Sequence, residues 1–417
     1  MGAPAARVSE LARYWAAAGH EVTVLTGFPN HPTGVVHPQY RSRFRRMVCR
    51  EQVDGIKVVR TWLIPLPNRK PHERMLNYGS FCLSAALTGT FVDRPDVIIA
   101  TSPQLLVGAS GWWVSRVKKT PYVLEIRDLW PESLAAVGVG DSRSLLHRGL
   151  AWLAGFLYRK CDHLVVVTPA FKDHIGREWG IERTKMSIVL NGVETELFAP
   201  STNGDMVRTE LGLKGRFIVS YIGTLGMAHD LGTVLDAAEA SRDLLPDVAF
   251  LLVGEGADKE RILAITRERS LSNVCCLGQQ PRERVPALIA ASDVCLVTLR
   301  RSDVFKTVIP SKMLEFMSCG RPVILAVEGQ ASELLKHAGA GLCVPPQDSA
   351  ALIEAVGQLR RDPELRRSCG ENGRKYIEEN LSRAQTAQQY IAVLHNLLTT
   401  NASAPVVSPE ASEISDM

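Results

Sequence analysis

The chain has 417 residues, 46% of them apolar and 22% charged, an ordinary globular composition long enough for two domains. Nine scattered cysteines without a CxxC pair argue against a disulfide framework or a zinc site and point to a reducing compartment. No signal peptide and no uncharged apolar run of about 18 residues is visible, so the expected location is cytoplasmic. The net charge of +4 divides unevenly. Residues 1–200 hold 25 Lys+Arg against 17 Asp+Glu, and residues 201–417 hold 23 against 27. The basic residues Arg41, Arg43, Arg45, Arg46 and Arg50, with Arg69, Lys70 and Arg74, read either as a solvated surface or as attraction to anionic lipid head groups, at about 1 kcal/mol each. Nucleic acid is not expected as a partner, because no aromatic-basic interleaving accompanies the charge.

In chain order, MGAPAARVSELARYWAAAGH opens on a small-residue turn and enters an amphipathic helix with Val8, Leu11, Ala12 and Trp15 on one face. A doubly wound domain carries a strand before such a turn, and the sequence shows none there. Strands are predicted at 21–27, 56–62, 96–102, 122–128, 163–169 and 186–192, then at 216–223, 248–254, 274–278, 294–299 and 322–327. Helical stretches alternate with them, which predicts an α/β fold with parallel sheets. LFAPSTNGDMV (197–207) reads as a linker, giving a first domain over 1–198 and a second over 208–382. A terminal helix is expected at 383–398, and the tail 399–417 has too little apolar content to fold alone.

Several predicted strands end in Gly, Ser or Asp, where open α/β sheets bind ligands. In the first half, GFPNHPTG sets Asn30 and His31 in a Pro-rich loop, and Ser102-Pro103 follow another strand. EIRDLWPES places Glu125, Arg127 and Asp128 together at a strand end, as a functional cluster or as simple ion pairing. In the second half, Gly223, Thr224 and Gly226 form a turn before a helix near Asp230, a geometry suited to phosphate but common as pure structure. Gly254, Glu255 and Gly256 end the next strand, where a backbone can approach a ligand closely.

The segment VIPSKMLEFMSCGRPVI (308–324) predicts a short helix with Ser311 as a plausible N-cap, Met313, Leu314 and Met317 on a buried stripe, and Gly320 closing it. Glu315 stands three residues after Lys312. The pair reads either as a first-turn ion pair or as a carboxylate for two vicinal hydroxyls beside a cation for an anion. No metal-ligand spacing is present.

Taken together, RVSELARYWAAAGHEVTVLTGFPNHPTG, VVVTPAFKDHI, IVLNGVETELF, LLVGEGADKERI, IPSKMLEFMSCGRPVI and GAGLCVPPQDSAAL resemble the retaining glycosyltransferases of family 4. Their order and spacing cover all but the tail. TGFPNHPTG, ATSPQLLVG and RDLWPES are further similar to the WbuB-like branch, assigned to fucosamine-type transfer. The resemblance implies a GT-B fold, two Rossmann-like domains facing a cleft. It implies a nucleotide-sugar donor bound by the second domain, with no metal or other cofactor. The implied acceptor is a polyprenyl-diphosphate-linked glycan, met by the first domain at the anionic inner face of the plasma membrane. Glu315 matches the second glutamate of the family's E-x7-E motif, which holds the ribose. Gly223, Thr224, Gly226 and His229 match the turn beside the diphosphate, with Ser311 and Lys312 nearby. Gly254, Glu255 and Gly256 match a loop near the nucleoside, and Gly2 a glycine loop facing the donor phosphate. Arg127 falls where many members have a cleft histidine, with Asp128 next to it, so the two join Glu315 as the catalytic set. Asn30, His31, Ser102 and Pro103 fall on acceptor-facing loops.

The departures are specific. Thr307 stands where the first glutamate of E-x7-E belongs, and Thr224 and His229 where the usual phosphate-binding Arg and Lys belong. Lys312 or Lys306 is then the replacement cation. Family members begin with a strand just before GAPAARV, so the expectation is an N-terminal sheet lacking its central strand, from a chain written too short. Two rival readings share the fold: a nucleotide-sugar epimerase, and a non-catalytic binding protein.

Overall fold

The computed structural model describes residues 3–30, 33–67, 71–102, 104–133 and 144–403. Thirteen strands are found among these: β1 Thr23–Gly27, β2 Val48–Val53, β3 Ile56–Thr61, β4 Ile98–Thr101, β5 Tyr122–Ile126, β6 His163–Val166 and β7 Met186–Ile188 in the first half; β8 Phe217–Ile222, β9 Val248–Val253, β10 Val274–Leu277, β11 Val294–Thr298, β12 Val323–Ala326 and β13 Gly341–Cys343 in the second. The second half forms one parallel sheet, ordered β10-β9-β8-β11-β12-β13. Its inner strands are buried throughout, because helices cover both faces. Ile218 and Ile222 of β8 pack toward the helix Ser311–Ser318, while Val219 and Tyr221 pack toward the helix Leu231–Leu244.

The first half carries two sheets, β1-β3-β2 and β4-β5-β6-β7. Among the described residues, β1 pairs only with β3 and β4 only with β5. Among the described residues the first half is therefore divided between two sheets. Helices hold the two pieces together. On one face, Ala3–Ala17 packs Ala12 against Ile56 and Val58 of β3, and Leu11 against Val123 and Val165 of β5 and β6. On the other, Pro71–Thr90 lies so close to Leu105–Lys118 that a Cβ on Gly89 would meet Val114 at 2.7 Å.

All eleven expected strands form. β2 and β13 were not expected. β2 joins β3 as a hairpin through Asp54 and Gly55, both at positive φ (51° and 79°). An Asp-Gly turn is a strong hairpin signal. In the hairpin, Glu51 takes up Arg60 at 2.6 Å and Arg43 at 3.3 Å, so part of the basic cluster is paired internally. The segment 197–207 is not a free linker, because Val193, Phe198 and Val207 already belong to the second domain's core. The helix Pro363–Asn380 packs on Ser311–Ser318, and Arg383–Ser403 then returns to the first domain. There Trp15 meets Tyr390 edge-on at 5.2 Å and donates through Nε1 to the Ala387 carbonyl. The remainder of the tail lies outside the described residues.

Candidate active site

The helix Ser311–Ser318 turns its apolar residues Met313, Leu314, Phe316 and Met317 into the core, which leaves Ser311 and Glu315 lining the interdomain cleft. Ser311 is not the N-cap. Pro310 takes that position with no side-chain cap, because its fixed φ of −61° already suits helix entry. The helix ends as expected at Gly320 (φ 65°), where Gly320 N–H donates to the Met317 carbonyl and Arg321 N–H to that of Phe316.

A cleft of about 460 Å³ opens between the domains. Arg7, Glu10, Arg127 and Asp128 line it from the first domain, and His229, Ser311 and Glu315 from the second. Another cavity of about 500 Å³, with Asp293 and Pro322 in its wall, lies at the amino ends of β11 and β12. Ligands of such sheets bind at the carboxyl ends, so the interdomain cleft is the candidate site.

Glu315 accepts from Arg282 Nη1 at 3.2 Å, and Arg282 Nη2 donates to Glu10 at 2.6 Å. Arg383 on the terminal helix donates to the other Glu10 oxygen at 2.8 Å. These four groups tie both domains and the terminal helix into one chain of charges. Burial raises the Glu315 carboxyl above its ordinary value, against the pull of Arg282. The Glu315 side chain remains 21% exposed to the cleft, so a ligand can reach it.

Lys312 differs from every other cation of the site. Its Nζ is buried without a hydrogen-bond partner, 3.7 Å over the Tyr221 ring. A Cβ on Gly223 would sit 3.4 Å from it, so the ammonium borders the glycine turn. Burial pushes this amine down to about 7, with Glu315 opposing. Lys306, the other candidate cation, is held on the surface by Asp303 at 2.8 Å and Glu328 at 3.7 Å. His229 is driven down to about 3 by burial and by Lys312, so it is a neutral imidazole at physiological pH. Tyr221 donates its hydroxyl to the Thr224 carbonyl at 2.7 Å, which fixes the turn. Thr224 itself is exposed.

Gly254 and Gly256 are required first by packing. A Cβ on Gly254 would lie 1.9 Å from the Gly223 carbonyl oxygen, and one on Gly256 would lie 2.1 Å from that of Leu225. The two glycine loops therefore build one backbone platform, and Glu255 points outward to Lys259 at 2.5 Å.

In the first domain the EIRDLWPES cluster separates by role. Glu125 is locked by Arg7 at 2.9 Å and by the Thr101 hydroxyl at 2.5 Å. Burial alone would raise its carboxyl, but Arg7, Arg127 and Thr101 hold it below the ordinary value. Glu125 is structural. Arg127 and Asp128 face the cleft, and burial pushes Asp128 up to about 6 against the pull of Arg127. Ser102 corrects the acceptor-loop expectation: it is buried, and its Oγ accepts the Arg127 N–H at 2.8 Å. The backbone carbonyl of Asn30 accepts the Gly34 N–H at 2.7 Å, while the side-chain Nδ2 is buried and unpaired. Gly2, His31 and Pro103 lie outside the described residues. Arg7, Glu10, Arg282 and Arg383 were not anticipated, since a lone charge in a helix or loop carries no local signal. Thr307, at the vacant glutamate position, instead accepts the Thr168 hydroxyl through its carbonyl at 2.8 Å, a direct bond between the domains.

Residues 2–192 match the model of the glycosyl transferase 4-like domain, and residues 206–376 that of glycosyl transferases group 1. WcaI of Escherichia coli K12, a glycosyl transferase named for colanic acid biosynthesis, is 26% identical, covering 92% of this chain and 93% of its own. Sucrose-phosphate synthase from Thermosynechococcus elongatus superposes with a TM-score of 0.75 at 22% identity, covering 96% of this chain and 94% of that one. HepE from Anabaena, solved with UDP and glucose, gives 0.68 at 17% identity, covering 90% of this chain and 100% of its own. The chain thus belongs to the GT-B glycosyltransferases, as a glycosyl transferase 4-like domain followed by a group 1 domain.

Proposed function

We propose that this glycosyltransferase moves a sugar, with retention at the anomeric carbon, from a nucleotide-sugar donor to a polyprenyl-diphosphate-linked glycan. The reaction belongs to surface-polysaccharide biosynthesis, as the name of WcaI suggests, and takes place peripherally on the cytoplasmic face of the plasma membrane. The transferred sugar would be an aminodeoxyhexose of the fucosamine type, by the sequence resemblance at TGFPNHPTG and RDLWPES.

The observation that carries the reading is the buried, unpartnered Lys312 ammonium beside Gly223, one helical turn from a cleft-facing Glu315. An unpaired buried cation is costly, and a diphosphate supplies the charge that relieves it. The departing nucleoside diphosphate is then stabilised by Lys312 and by the N-terminus of Ser311–Ser318, without a metal cofactor. Glu315 accepts hydrogen bonds from the ribose hydroxyls, in competition with Arg282. As the sugar–phosphate bond breaks, the acceptor oxygen bonds to the same face of the anomeric carbon, and its proton passes to the leaving phosphate oxygen. Arg127 and Asp128 orient that acceptor hydroxyl from the opposite wall.

Calorimetry with UDP, GDP and dTDP tests the donor half. One of them should bind, with Lys312→Met and Glu315→Gln each weakening it at least tenfold, about 1.4 kcal/mol. Activity on a polyprenyl-diphosphate sugar should persist in EDTA. The reading fails if the protein binds no nucleoside diphosphate and neither transfers nor hydrolyses any nucleotide sugar.

A further inference from the structure

The helices Pro71–Thr90, Leu105–Lys118 and Leu145–Lys160 lie side by side on one face of the first domain. Each is apolar on the side it buries, through Ala85, Val114 and Leu157. Each is apolar again on the side it presents outward. Leu83 is 75% exposed, Leu87 67%, Phe91 73%, Trp113 51% and Trp152 67%. Leu83 and Leu87 are one turn apart on the same stripe, and Phe91 follows where the helix ends. Trp152 stacks on Phe156 at 5.7 Å, and Phe156 meets Trp112 edge-on at 5.0 Å, which joins the second and third helices through aromatic rings. A helix facing only water keeps one apolar face, so a second one marks a contact surface.

Charge selects the occupant. Across these three helices the sole carboxylate is Glu73, against Arg74, Arg116, Lys118, Arg148, Arg159 and Lys160. The ends of the helices adjoin, since Arg94 donates to the Lys119 carbonyl and Arg116 to that of Lys160. Three acids, Asp93, Asp96 and Asp162, share that edge, and Arg116 engages Asp162 at 3.7 Å. Exposed Trp, Phe and Leu flanked by Lys and Arg, almost without carboxylates, match the boundary between anionic head groups and acyl chains.

We propose that this three-helix face docks on an anionic bilayer and inserts Leu83, Leu87, Phe91, Trp113 and Trp152 at the head-group boundary. Attachment is thereby apolar as well as electrostatic, which the Arg41–Arg50 cluster alone would not give. The proposal deepens the membrane part of the proposed function and rests on that reading.

Sedimentation of the full chain with vesicles of phosphatidylglycerol and phosphatidylcholine tests it, in low and high salt. The protein should bind anionic vesicles and keep a substantial bound fraction in high salt. Leu83→Ser/Leu87→Ser and Trp152→Ser should each lower partitioning at least tenfold. Both substitutions are at exposed sites, so melting temperature and transfer to a water-soluble acceptor analogue should be unchanged. Complete release by salt with no effect of the substitutions would overturn the proposal in favour of charge alone. Absence of vesicle binding overturns it outright, and so does a change from dimer to monomer in Leu83→Ser/Leu87→Ser, which makes the face a contact between copies. None of these results touches nucleotide binding or transfer to the soluble analogue, so a failed docking surface and a failed glycosyl transfer are told apart.

Discussion

Lys312 holds its amine where desolvation moves its titration from 10.5 to about 7. Between those two values the unfolded chain carries a proton that the folded one lacks, so this site's contribution to stability rises with pH across that window. Below about 7 both states are protonated and the full cost of the buried charge remains. In the proposed function, a bound diphosphate would remove that cost by pairing the ammonium. At pH 8, nucleotide binding should therefore take up close to one proton, read from calorimetry in buffers of different ionisation enthalpy, and Lys312→Met should abolish the uptake. Asp128 behaves in the opposite sense. Its carboxyl is raised from 3.8 to about 6, so stability at this site falls as pH climbs through that interval, because only the unfolded form ionises early. If ionised Asp128 orients the acceptor hydroxyl, kcat/KM has an acidic limb near pH 6 that disappears in Asp128→Asn. A limb retained in that variant would remove Asp128 from the mechanism. Neither shift was legible in the sequence. Burial of these two groups depends on Tyr221, Gly223 and the opposing domain, all remote along the chain.

At the scale of elements, the strands were legible because parallel strands buried on both faces read as largely apolar runs, as in VAFLLV and VILA. β2 was missed because VCREQV pairs at a sheet edge, with several residues in solvent and only Cys49 buried. The glycine loops show the converse error of reading function too directly. Gly254 was legible as a position needing close approach, but what approaches it is the backbone of Gly223. At φ 144°, Gly254→Ala combines strain with a clash and should cost more than about 2 kcal/mol. Urea denaturation measures this directly; an unchanged midpoint would mean that the two loops are not packed as described. Gly55 at the tip of the hairpin is a useful contrast, since a Cβ there meets nothing within 4 Å and only its φ of 79° opposes substitution.

For the whole molecule, the terminal helix Arg383–Ser403 does two jobs. Ala387 and Tyr390 cover Val123 and Val165, replacing solvent over the middle of β5 and β6. Arg383 pairs with Glu10, which through Arg282 reaches Glu315. Burial of a large side chain is worth about 1.5–3 kcal/mol, and a domain's net stability is only about 5–15 kcal/mol. A chain ending at Leu381 should accordingly aggregate or melt at least about 5 °C lower, at about 2–4 °C per kcal/mol for a domain of this size. Unchanged melting of that truncated chain would show that the first domain does not depend on the return of the helix.

By itself, the sequence determined the α/β class, eleven of the thirteen strands and the short helix within 308–324. These follow from local apolar periodicity and from motifs that hold within one stretch of chain. Tertiary structure decided what each charge is for. It buried Glu125 with Arg7, turned Ser102 inward, occupied Lys306 at the surface and left Lys312 unpaired beside Gly223. It also set Leu83, Phe91 and Trp152 on one outward face. Charge pairing and exposure depend on residues brought together from distant parts of the chain, and periodicity along the chain cannot encode them.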